Sequence, residues 1–377
     1  MQFAFSKEVR TVHYWAAVLI SLPLLVVIAT GIFLQVRKYV DWIQPTEKSG
    51  IAANNPAASL EAILDAARSV AAINIRGWND VQLVDLRPGN GSVKVRNHDE
   101  VEVQLDATTG AVLHTGKRLN DIVVLMHEGT TWGARLWLFL PVGIATFGLW
   151  CAGFYLVVVT TGPRWRRWRA ARARSAAIAA AVILAPAEKP ATVARHFNFE
   201  MFLRKYHYWF ALIVLAPWFV VIVSGLVLQV RYEVPWVLPP LQQGSRGDPT
   251  LEFGEALKAA QKIPDIGVSN WKDVWRIYVY PRDGVVQVRA KNNWEVQLDA
   301  RTGAVLHVAM RRTDWIEDIH EGSWMGANIW LFLPVHVLSL VLWLSGVVMS
   351  VRDSVRRSAK PRARSSDAVT SSQAQSS

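Results

Sequence analysis

The sequence predicts an α-helical membrane protein: a four-span bundle built from two parallel repeats, with two small extracytoplasmic α+β domains. Three observations predict it. First, His13-Tyr-Trp…Gly31…Gln35-Val36-Arg37 returns as His207-Tyr-Trp…Gly225…Gln229-Val230-Arg231, at a constant offset of 194 residues. Second, each copy opens an uncharged apolar run, 14–36 and 208–230. About 20 such residues cross a hydrocarbon core. Third, the net charge of +11 is unevenly placed. Residues 37–135 carry 11 basic against 12 acidic side chains, residues 231–328 carry 12 against 13, and the rest of the chain holds 18 against 5. Lys and Arg collect in cytoplasmic loops, so the excess is an orientation signal, and no nucleic-acid partner is expected.

In chain order, residues 1–12 form a cytoplasmic N-terminus with Lys7 and Arg10. The first span, 13–36, is longer than a signal-peptide core and has no A-x-A-like site behind it, so it is read as a retained helix. A first external domain follows over 37–121. Ser59 caps a short amphipathic helix from Leu60 to Val70, and alternating strands begin at Val81, Ser92, Val101 and Ala111. His127-Glu128-Gly129 leads into a return span, the two together covering 122–162. The basic linker 163–206 is expected to be poorly ordered or to lie on anionic lipid headgroups.

The second half repeats this plan. It has a span at 207–230, a domain at 231–314 with a helix capped by Thr250, and His320-Glu321-Gly322 with its span at 315–351. A cytoplasmic tail, 352–377, is rich in Ser, Ala, Gln and Arg from Ser358 and is expected to be disordered. LDATTGAVLH (105–114) and LDARTGAVLH (298–307) differ at one position. Two spans per repeat place both copies in one orientation, related by a pseudo-two-fold axis along the membrane normal. Matched prolines, Pro23 and Pro217, should kink the first helix of each repeat alike.

Of nine histidines, His13/His207, His114/His307 and His127/His320 are repeat pairs, whereas His98, His196 and His336 stand alone. Symmetry would bring His13 to His207 on the cytoplasmic side and His127 to His320 on the outer side. Two neutral imidazoles converging on an axis can ligate one haem iron, so two pairs would stack two b-type haems into an electron path. The competing reading of His-Tyr-Trp is an aromatic belt. Gly31 and Gly225 would let a macrocycle or a neighbouring backbone approach. Arg10 and Arg204, one turn before the histidines, and Arg37 and Arg231 at the far ends could neutralise propionates or touch headgroups. His336 has Gly143 as its repeat position. It is either an alternative axial ligand or a histidine bonded to a neighbouring helix. His114 and His307 fall on external strands. The single Cys151 excludes a disulfide framework and thiolate-held clusters. No nucleophile–base set, phosphate loop or zinc spacing appears.

The two Asp-x-x-Thr-Gly turns resemble those of PepSY domains, and residues 7–352 resemble the PepSY-associated transmembrane family. That family includes iron-regulated inner-membrane proteins and ferric-siderophore reductases. The resemblance implies haems between the helices, electron transfer to an external ferric-siderophore acceptor, and a multi-pass location in the bacterial inner membrane with both termini cytoplasmic. Its histidine motifs match His13, His207, His127 and His320. The sequence departs from the family in reading His-Tyr-Trp where His-Arg-Trp is common, and Met-His-Glu or Ile-His-Glu where Leu-His-Arg is common. No nicotinamide or flavin fingerprint is present, so the donor would be external, a quinol or a cytosolic reductase. The alternative function is a non-redox scaffold whose external domains bind or restrain a partner such as a protease.

Overall fold

The computed structural model describes residues 2–182 and 198–359. The expected behaviour of Pro186, Pro190, His196 and the tail beyond 359 lies outside them. Among the described residues, four helices are long and apolar enough to cross a membrane: Ser21–Tyr39, Arg135–Val159, Phe199–Gln229 and Asn328–Arg356. The protein is a multi-pass membrane protein.

The two first spans differ. The first is divided into α1 (Gln2–Leu19) and α2 (Ser21–Val36), with a turn at Ile20. Its counterpart, the later helix Phe199–Gln229, is continuous, with Pro217 inside it. Equal kinks are therefore not found. Pro23 falls in the first turn of α2, where a missing N–H costs little and a helix start is favoured. Pro217 lies mid-helix and leaves its helix intact.

The first repeat continues with α3 (Leu60–Arg68), β1 (Val81–Arg87), β2 (Ser92–Asn97), β3 (Val101–Asp106), β4 (Val112–Lys117), α4 (Asn120–Glu128) and α5 (Leu140–Val182). The second comprises α6 (Phe199–Gln229), α7 (Phe253–Gln261), β5 (Val274–Tyr280), β6 (Val285–Ala290), β7 (Trp294–Asp299), β8 (Val305–Met310), α8 (Thr313–Glu321) and α9 (Leu333–Ala359). The Arg-rich stretch expected to be loose is the continuation of α5, since Arg and Ala are strong helix formers. Helix α9 likewise runs past residue 352.

Two compact units divide these elements. One comprises residues 22–150 and 214–337, the other 1–21, 151–213 and 338–377. The first contains the sheet, and here the expectation of two separate external domains is corrected. All eight strands form one sheet in the order β4-β3-β2-β1-β5-β6-β7-β8. The seam is antiparallel pairing of β1 with β5, Val84 to Val279 and Leu86 to Ile277. A strand left at the edge of a four-stranded sheet presents unpaired backbone groups, and each repeat caps the other's edge.

One face of the sheet is apolar and packs on the two short helices. Leu60, Ile63, Leu64 and Ala67 of α3 and Phe253, Ala256, Leu257 and Ala260 of α7 are buried against Val84, Val93, Leu105, Val286 and Leu298. Ser59 caps α3 by accepting from Ala62 N at 3.2 Å. The cap of α7 is Glu252 rather than Thr250, in a reciprocal capping box with Glu255. The Glu252 carboxylate also accepts from Leu60 N at 3.0 Å, stitching the repeats together.

The opposite face is polar yet buried, because segments 44–48 and 238–242 strap across it. Lys48 N donates to Gln104 Oε1 at 2.7 Å and Gln242 N to Gln297 Oε1 at 2.8 Å. Asp106 and Asp299 fold the Thr-Gly turns by accepting from the following backbone amides. Both also hold the chain at Ile51 and Ser245. Against the effect of burial, those donors keep the Asp299 carboxyl well below the usual range.

Candidate histidine sites

In the sheet unit, α4 and α8 end at glycines that take a left-handed conformation, Gly129 (φ +74°) and Gly322 (φ +76°). A Cβ on either would lie 2.2 Å from the ring of Phe139 or Phe332. The chain therefore reverses tightly there and enters a π-helical turn, Arg135–Phe139 or Asn328–Phe332, before the next span. Such turns often sit beside functional sites. This geometry delivers His127 and His320 to one place, with ring centres 6.3 Å apart and planes inclined at 61°.

Both rings are held by the first helix of their own repeat. His127 Nδ1 lies 2.9 Å from Thr30 Oγ1, and His320 Nδ1 lies 3.0 Å from Ser224 Oγ. Each hydroxyl donates its one hydrogen to a carbonyl a turn earlier, Val26 or Val220, at 2.6 Å. It must then accept from the imidazole, so both rings carry the proton on Nδ1 and leave Nε2 bare. His336 Nδ1 donates to Phe332 O at 2.7 Å and has the same tautomer. The expected bond from His336 to a neighbouring helix is replaced by this bond within its own strand of chain. Burial, and then the neighbouring imidazoles, pull His127 down to about 4 and His320 down to about 3. Both are neutral at physiological pH, as a metal ligand must be.

Gly31 and Gly225 face imidazoles. The space a side chain would need is taken by imidazoles, not left open. A Cβ on Gly31 would meet His127 Cε1 and His336 Cδ2, each at 3.4 Å, and one on Gly225 would meet His320 Cε1 at 3.1 Å. The Gln-Val-Arg ends of the same helices clamp the opposite repeat. Gln35 Nε2 donates to Glu321 O at 3.1 Å and Arg37 pairs with Glu321 at 2.7 Å. Gln229 Nε2 donates to Glu128 O at 2.9 Å and Arg231 pairs with Glu128 at 2.7 Å. Arg37 and Arg231 are thus committed to the glutamates next to the histidines, which the charge-neutralising role did not foresee.

In the other unit, His13 and His207 lie within electrostatic reach of each other. Each faces a glycine of its own return helix. A Cβ on Gly153 would stand 3.7 Å from His13 Cε1, and one on Gly346 would stand 3.9 Å from His207 Cε1. His207 Nδ1 lies 2.7 Å from Ser345 Oγ, which donates to Leu342 O at 2.9 Å. This is again the Nδ1–H tautomer with Nε2 bare. The first repeat has Ala152 at the serine's place. Arg10 is exposed, and Arg204 pairs with Glu200 at 2.6 Å.

The profile of the PepSY-associated TM region matches residues 10–187 and again 204–371. The chain belongs to this family. Its two matched segments begin at Arg10 and Arg204, so each copy takes in one histidine of either kind. No curated protein matches the sequence.

The residues present would suit the haem that the sequence resemblance implies. The donor set is imidazole in repeat-related pairs, and His127, His320 and His207 are held through Nδ1. His13, His127, His207 and His320 are each half-buried. Among the described residues, no three His, Cys, Asp or Glu groups converge to hold a bare ion. Sequence reading missed Thr30, Ser224, Ser345, Gly153 and Gly346. The signal was available, because a hydroxyl precedes Gly31 and Gly225 alike, and Gly153 and Gly346 match at the second offset of 193.

Proposed function

We propose that the protein is a haem-containing electron carrier of the bacterial inner membrane, with His13 and His207 holding one b-type haem and His127 and His320 the other. The haems supply one-electron chemistry. In this reading the sheet is a fused pair of PepSY-like domains on the outer side, and both termini are cytoplasmic. Electrons enter from a quinol or a cytosolic reductase and leave to an external ferric chelate such as a siderophore. The observation that carries the reading is the shared anchoring of Nδ1. His127, His320, His336 and His207 all spend Nδ1–H on an acceptor and keep Nε2 as a lone-pair donor.

The chain's own part follows from that geometry. Thr30, Ser224 and Ser345 fix ring orientation and raise imidazole basicity, as outer partners of metal-bound histidines do. The crossed Arg37–Glu321 and Arg231–Glu128 pairs lock each His-Glu-Gly turn to the other repeat. Phe147 stacks on Trp150, Phe219 packs against Trp150 at a tilt, and Trp150 Nε1 donates to Leu215 O, which ties the first span of the second repeat to the return helix of the first. A second reading, the non-redox scaffold, draws on the sheet's two edge strands, β4 and β8. An extended peptide can add to such an edge.

The test is to purify the protein from haem-replete cells, reduce it anaerobically, and add a ferric hydroxamate chelate with a ferrous trap. The proposal expects a reduced haem spectrum that reoxidises as ferrous iron appears. A colourless protein would replace it with the scaffold reading.

A further inference from the structure

Behind the strap of the second repeat lies a cavity of about 330 Å³. Its floor is Arg231, Arg289, Arg311, Gln287 and Glu317, and its wall is the apolar strap from Leu238 to Leu241 with Tyr280. The volume is at the lower end of small-molecule sites, which combine apolar walls with a few placed polar groups.

The first repeat shows what fills the same place when no ligand is needed. There the strap carries Glu47, where the second repeat has Leu241. The Glu47 carboxylate pairs with Arg87 at 2.5 Å and accepts from Asn90 at 2.6 Å. Lys94, fully buried, reaches Glu102 at 3.4 Å. Asp85 takes Arg87 at 3.0 Å and lies 3.9 Å from Arg96. In the second repeat Arg87, Lys94 and Asp85 become Tyr280, Gln287 and Tyr278. The built-in carboxylate is gone, and Arg289 has no counterpart of the Asp85 that lies beside Arg96, while Arg311 keeps Asp314 at 3.1 Å. Arg96 and Arg118 lie 3.1 and 2.9 Å from Glu102, whereas Arg289 and Arg311 lie 3.9 and 3.4 Å from Glu295. Arg289 spends Nε and Nη2 on the neutral amide oxygen of Gln287, at 2.9 and 2.7 Å. A guanidinium has five donors, and Arg289 makes its two shortest bonds to a neutral acceptor while Glu295 stands 3.9 Å away.

The geometry points to a binding site for a small organic carboxylate, with its oxygens on Arg289 and Arg311 and its carbon frame against Leu238–Leu241. The ligand takes the space beside the strap that Glu47 fills in the first repeat, and meets Arg289 and Arg311 there instead of Arg87. The site is independent of electron transfer and stands whether or not haem is bound.

The full chain in nanodiscs is titrated with citrate by calorimetry. The expectation is one saturable site per chain, weakened at least tenfold by Arg289→Gln. Leu241→Glu, which restores the first repeat's internal carboxylate, should abolish binding while leaving the melting transition in place. Glu47→Leu should leave the affinity within twofold. The proposal is overturned if the native chain shows no saturable citrate binding, or if folded Leu241→Glu protein binds citrate as the native chain does.

Discussion

The two repeats agree around His127 and His320 and disagree on the strap side of the sheet. Around the histidines the correspondence is close: Thr30 with Ser224, Gly31 with Gly225, Gln35 with Gln229, Arg37–Glu321 with Arg231–Glu128. On the sheet, one repeat neutralises itself with Asp85, Arg87, Lys94 and Glu47, and the other keeps tyrosines, Gln287 and a cavity. The lesson is that the histidine machinery needs both copies in the same form, since each copy clamps the other. The sheet needs only the backbone seam between β1 and β5, so its polar face is free to differ.

The sharpest way to break this comparison is to remove the same carboxylate from each copy. Glu102→Gln leaves Lys94, Arg96 and Arg118 around an uncharged amide and should cost about 3–5 kcal/mol, the range for breaking a buried pair. Glu295→Gln faces fewer and more distant cations and should cost about 1–3 kcal/mol. Melting in detergent checks both, and equal losses would mean the faces are not different.

Where the repeats agree, substitutions should act alike. Gly129→Ala and Gly322→Ala combine left-handed backbone strain with a collision against Phe139 or Phe332, together about 3 kcal/mol. Melting temperatures of the two variants should fall by similar amounts. Thr30→Val and Ser224→Ala each deprive an imidazole Nδ1–H of its acceptor, at about 1–3 kcal/mol. A less basic ligand stabilises ferric iron less, so in the haem-loaded protein one reduction potential should rise in each variant, measured by redox titration. Two unequal shifts would sharpen the comparison by assigning a special role to His336.

The smallest effect concerns Glu317, where the first repeat has Val124. Glu317 lines the cavity, half-buried, 3.7 Å from Arg231. Burial pushes it up to about 7, opposed by Arg231 and Arg311 and assisted by Asp314 and Glu321. The folded state therefore holds this proton more tightly than the unfolded state. Its share of stability should fall as pH rises from about 4.5 to about 7 and be level above. Glu317→Gln should flatten that part of the melting-temperature profile.

Much of this was legible in the chain itself. The repeat, the uncharged runs and the period-two strands of 81–87 and 285–290 locate the helices and strands, because those signals are local. The joining of two domains into one sheet was not legible. Edge pairing between β1 and β5 leaves no periodicity, and Val84 reads the same whether its neighbour is solvent or Val279. The four paired histidines were visible as pairs, but their partners were not. Thr30 and Ser224 look like ordinary small polar residues in a span until the His-Glu-Gly turn folds back on them. The broken first helix, divided at Ile20, depends on Pro23 falling in a first turn, which the matching Pro217 disguised.

The central claim is that repeat-related histidines work as axial pairs, and haem counted per chain tests it most directly. The native protein should carry about two b-type haems. His13→Ala and His207→Ala should each remove one, His127→Ala and His320→Ala the other, and His13→Ala with His127→Ala should leave none, while His98→Ala retains both. Full haem content in all four single variants, or none in the native protein, would contradict the account.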